Sequence, residues 1–60
     1  MKMYKVYDNE FISLEDNSYI FKSYSQALEA VFWLEANAEA YGDSQHYFYI
    51  KDLTTGEDVY

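Results

Sequence analysis

Apolar residues recur at three- and four-residue steps from Ser23 to Tyr41, SYSQALEAVFWLEANAEAY, which predicts one amphipathic helix of about five turns. Ser23 with Gln26 three residues later fits a capping box, in which each side chain satisfies a backbone N–H at the helix start. Tyr24, Ala27, Val31, Leu34, Ala38 and Tyr41 fall on the inward face, with Leu28 and Ala30 on its shoulders. Gly42 follows as a left-handed stop.

On either side of this helix the pattern alternates, as strands do. Residues 3–7, MYKVY, favour a strand; Asp8-Asn9 offers a turn; residues 10–15, EFISLE, read as a second strand; Asp16-Asn17 turns again into residues 18–22, SYIFK. A three-stranded meander results, or, since Asp-Asn is a weaker hairpin signal than Asn-Gly, a longer loop in place of its middle strand. After the helix, residues 46–52, HYFYIKD, alternate cleanly. Leu53 to Gly56 supplies a turn with glycine where φ is positive, and residues 57–60 return at the edge. The fold expected is a single α+β domain, βββαββ, with one helix on an antiparallel sheet of four to five strands.

This pattern contains more apolar surface than one helix covers. If the Asp-Asn turns set the register, Tyr4, Val6, Phe11 and Ile20 share one face and Met3, Tyr7, Ile12, Leu14, Tyr19 and Phe21 the other; the strand after the helix repeats the pattern, with Phe48 and Ile50 on one side and Tyr47 and Tyr49 on the other. An antiparallel sheet with a bare face normally shows polar residues there. Tyrosine tolerates half exposure, yet Tyr7, Tyr19, Tyr47 and Tyr49 together suit a self-association or partner face. On the helix, Trp33 points away from the inward stripe with Ala36 and Ala40 beside it, and Phe32 lies on the neighbouring flank. Glu29, Glu35, Asn37 and Glu39 form a polar rim. A small rotation would tuck Phe32 under the sheet edge and leave one exposed tryptophan. Otherwise Phe32 and Trp33 are binding anchors, with Glu29, Glu35, Glu39 and Asp43 as steering charges.

Composition sharpens this reading. Eleven acids against four lysines, with no arginine, give a net charge of −7, and seven of the acids lie in residues 29–60 beside Lys51 alone. Such a chain repels phosphate and suits a basic protein surface, so direct nucleic-acid binding is not expected. At 50% hydrophobic and 22% aromatic residues it is not a disordered polymer. Sixty residues without cysteine make a small core with no disulfide to staple it, which leaves oligomerisation as a source of extra stability, a homodimer being the simplest form. No stretch is long enough to span a membrane and the N-terminus lacks a signal-peptide core, so a cytoplasmic protein is expected.

Chemistry is absent from the motifs. His46 is the single histidine, beside no legible nucleophile or ligand set. Asp8-Asn9-Glu10 and Glu15-Asp16-Asn17 lack the glycine and distal glutamate of a calcium loop. Gly42 and Gly56 form no phosphate cradle. No enzyme activity, metal or cofactor is expected. In size, acidity, freedom from cysteine and arginine, and dense mixing of tyrosine with carboxylates, the chain resembles small bacteriophage proteins that inhibit host defence or host enzymes, including anti-restriction and anti-CRISPR proteins. That resemblance implies a plug for a basic channel or assembly surface. Imitation of DNA charge would be incomplete, because Glu29, Glu35 and Glu39 spread over ~15 Å of helix, where duplex DNA carries a charge per ~1.7 Å.

Overall fold

The computed structural model describes residues 2–8, 10–40 and 47–60, the side chains of Glu39 and Ala40 excepted. Four strands and one helix follow in the order β1 (Tyr4–Tyr7), β2 (Ile20–Phe21), α1 (Tyr24–Ala40), β3 (Tyr49–Asp52) and β4 (Glu57–Asp58). The sheet is antiparallel throughout, ordered β2-β1-β3-β4, and α1 packs across β1, β2 and β3. One helix on a four-stranded antiparallel sheet is the α+β architecture expected. The expected start of β3 at His46 and the stop at Gly42 lie outside the described residues.

The register explains which face the helix covers. Val6 stands opposite Ile50, and Tyr4 opposite both Phe21 and Asp52. Side chains alternate along a strand, so Val6 and Ile50 share a face with Tyr4 and Phe21. Ala27 and Val31 of α1 meet that face, and with Ile12 and Phe48 they form the buried core. Leu28, Ala30, Leu34 and Ala38 pack half-buried around it, which is the inward stripe read from the sequence. The rings of Tyr4 and Tyr24 close one end, edge to face at 6.0 Å. The helix starts as its sequence dictates: the Gln26 N–H donates to Ser23 Oγ at 3.2 Å and the Ala27 N–H to the Ser23 carbonyl.

Residues 10–15 form no strand, so the longer-loop alternative holds. The cause is Asp8. Its Oδ1 accepts the N–H groups of Glu10 (2.9 Å), Phe11 (2.6 Å) and Ile12 (2.9 Å), while its own N–H donates to the Ile12 carbonyl at 2.9 Å. Amides gathered on one carboxylate oxygen are not presented to a neighbouring strand. Asp16 repeats the device on a smaller scale, accepting the Ser18 N–H at 3.0 Å. Tyr19 then turns the chain with φ at 58° and offers its carbonyl to the Val6 N–H, which sets β2 in place.

Because the loop replaces a strand, four face assignments change. Ile12, expected on the face of Tyr7 and Tyr19, joins the core, and Phe11, expected on the face of Tyr4 and Val6, is exposed. Ile20 and Phe21 exchange faces, since Phe21 rather than Ile20 shares the helix side with Tyr4. Beyond the helix, the turn Leu53 to Gly56 forms as expected, with Gly56 at φ 78° and Asp52 Oδ1 accepting the Thr54 N–H at 2.8 Å. No residue lies near enough to Gly56 to crowd a Cβ, so glycine is favoured there by φ alone.

Candidate protein-interaction surface

The helix that builds the core also presents a second, outward face. Phe32 is 57% exposed and Trp33 62%, next to Val31, which is fully buried. Each helical residue turns about 100° from the last, so Phe32 and Trp33 flank the side facing away from the sheet. Glu29, one turn earlier, lies between them on that side, and exposed Ala36 lies between them one turn later. The Asn37 amide nitrogen donates to the Trp33 carbonyl at 2.9 Å, which fixes the polar residue beside the indole.

The acids do not form an even ring. Glu35 is exposed but lies about 120° round from Glu29, beyond Phe32, whereas the flank beyond Trp33 carries Gln26 and Asn37. Glu39 belongs to α1, and Asp43 lies outside the described residues. The ion pairs described, Lys2 with Asp52 at 3.9 Å and Lys51 with Asp58 at 3.4 Å, lie on the sheet and engage neither Glu29 nor Glu35.

The other sheet face is less bare than its tyrosines suggest. Tyr7 and Tyr49 stand opposite each other with ring centroids 5.4 Å apart, and the Lys51 ammonium lies 5.9 Å from the Tyr7 ring. Tyr19 is half-buried against the core. Tyr47 alone of the four is open, at 69%. Lys5, which alternation places on this face, is only 1% exposed, and its Nζ donates to the Ser18 carbonyl at 2.6 Å. The 8–19 loop thus covers part of the face that the meander was expected to leave open. A shallow open cleft remains between Tyr7, Asp8, Ser13, Leu14 and Glu15.

Electrostatics on this face centre on Tyr7. Burial, then a 2.7 Å hydrogen bond donated to Asp58, pushes the phenol up to about 12 from an ordinary 10.0. The same bond holds the Asp58 carboxyl below the usual carboxylate range. Desolvation lowers Lys5, partly offset by the attraction of Asp16. A phenol that binds its proton more tightly in the fold contributes stability in full below its unfolded value and loses it as pH rises through the folded one. Stability should therefore decline between pH 10 and about 12 as Tyr7 ionises. Lys5 acts oppositely and earlier, adding stability as pH rises towards 10.5. Alkaline unfolding followed by circular dichroism checks this: Tyr7→Phe should remove most of the decline, and an unchanged profile would reject Tyr7 as its source.

Several features escaped the sequence reading. Asp8 as a triple acceptor and Lys5 as a covered cation are both tertiary, although an aspartate opening an Asp-Asn-Glu run is a sequence signal for a side chain that captures following amides. Among the described residues no group of three potential metal ligands comes together, and no helix is long and apolar enough to cross a membrane. No protein family, no curated protein and no solved structure matches this chain.

Proposed function

We propose that this chain is a non-enzymatic, acidic protein-binding module whose outward α1 face docks on a basic surface of another protein. The observation that supports it is the pair of adjacent aromatic side chains, Phe32 and Trp33, left more than half exposed beside Glu29. Aromatic anchors among small and acidic neighbours are what interface centres are made of, and a net charge of −7 steers towards cationic partners and away from nucleic acid. The resemblance to phage inhibitors suggests a host defence or nucleic-acid-processing protein as target, and the host cytoplasm as the setting.

A homodimer is the second reading, and Tyr47 supports it most directly on the sheet side. Through the helix face it is disfavoured, because an antiparallel two-fold pairing centred between Phe32 and Trp33 would set Glu29 beside Ala36 of the other copy and leave its charge unanswered. Affinity capture from bacterial lysate, with Trp33→Ala as the paired bait, tests the first reading. The variant should keep the wild-type circular dichroism and weaken capture by about 2 kcal/mol or more, and equal capture would reject the site. Sedimentation across concentration tests the second: a monomer at every concentration excludes self-association.

A further inference from the structure

Glu29, Phe32, Trp33 and Ala36 stand at positions i, i+3, i+4 and i+7 of α1, the arrangement that forms the four-cornered hole receiving a side-chain knob from a facing helix. All four are exposed. Adjacent corners are separated by about 5–6 Å between Cβ atoms, and Glu29 and Ala36 by about 10 Å along the axis. Two corners are aromatic, one is a carboxylate, and one is small enough to leave an opening. Resting on the reading of this face as a docking surface, we infer that the hole receives an arginine from an amphipathic helix of the partner.

The corners select that side chain in turn. An apolar knob would pack on Phe32 and Trp33 but would bring Glu29 into a dry contact with no opposite charge. A lysine would answer the charge with a compact ammonium, which does not stack. Arginine meets both demands: its flat guanidinium lies against an aromatic ring, and its fork of N–H groups matches a carboxylate. Ala36 leaves room for the stem to enter from the side away from Glu29.

The occupant comes from another protein, because this chain contains no arginine. Its own cations are all lysines, whose compact ammonium does not stack, and three of the four are engaged: Lys5 is covered, Lys51 is held by Asp58 and by the Gly56 carbonyl at 3.2 Å, and Lys2 lies 3.9 Å from Asp52, which leaves Lys22 exposed. Glu35 on the Phe32 flank, against Gln26 and Asn37 on the Trp33 flank, further favours a partner helix whose remaining cations lie on one side.

Two synthetic amphipathic helical peptides test this, identical except for arginine or its uncharged isostere citrulline at the centre of the apolar face. Binding is read by the emission of Trp33, the chain's single tryptophan. The arginine peptide should bind about tenfold more tightly than its citrulline twin, and Glu29→Gln should remove most of that difference while leaving the fold unchanged. Equal affinity of the twins, with Trp33 responding to both, would overturn the arginine assignment and leave outer-face docking standing. A preference that survives Glu29→Gln would overturn the hole as its source. No response to either peptide would overturn both the inference and the docking surface. An emission shift with protein concentration alone would identify a second copy as the occupant and overturn the inference.

Discussion

Asp8→Ala should destabilise the domain by about 2–4 kcal/mol, because hydrogen bonds to a charged acceptor contribute about 1.5–3 kcal/mol each and three share this oxygen. The three do not add in full: Glu10 and Phe11 are exposed, so water replaces the carboxylate at their amides, whereas Ile12 is buried and its amide loses its partner outright. A domain of this length holds about 3–9 kcal/mol in total, so the loss is a large share of it. Asp8→Asn keeps an acceptor oxygen in place without the charge and should recover about half of the loss. Urea midpoints of the three proteins check this. Near-identity of wild type and Asp8→Ala would show that the 8–12 turn contributes nothing to the core through Ile12.

That turn also marks where the sequence stopped being legible. EFISLE has the residue types of a strand, and local preference gives no reason to deny it one. What overrides the preference is one carboxylate, 4% exposed, whose amide partners follow it within four residues. Once the strand is lost, the register it would have transmitted to β2 is lost too, and Ile20 and Phe21 change sides. β1 and β3 were immune to this because their faces were fixed by their own alternation. Each strand's alternation is as the chain predicts, and the register then sets Val6 opposite Ile50 and Tyr7 opposite Tyr49. The helix was legible for a similar reason, its period and cap both being local.

The candidate surface divides along the same line. That Phe32 and Trp33 face outward follows from the turn per residue and the position of Val31, and the structure places both in solvent. Alternation predicts a sheet face rich in tyrosine, whereas Tyr7 and Tyr49 pack on one another and Lys5 on that face is covered by the loop. No alternation within a strand foretells what a distant loop will cover. The charge around these rings is one-sided, since helical geometry puts Glu35 beyond Phe32 and Asn37 beyond Trp33.

Val31, Phe32 and Trp33 therefore offer a sharp contrast within three consecutive positions. Val31→Asp would place a carboxylate in the fully buried contact between α1, Val6 and Ile50, where no cation is among the core residues. An unpaired buried charge costs about 3–5 kcal/mol, comparable with the whole stability of a domain this small, so the variant should be largely unfolded at neutral pH. Lowering the pH to protonate the new carboxyl should restore part of the fold, since the cost falls on the charged form. Phe32→Asp and Trp33→Asp place the same group in solvent, at helix positions where aspartate and the aromatic residues have similar propensity. Their stability should stay within about 1 kcal/mol of wild type. Thermal unfolding of the three variants reads the result directly. Loss of the fold in Phe32→Asp or Trp33→Asp would mean that these rings are structural, and the outward face would then have no aromatic anchors to offer a partner.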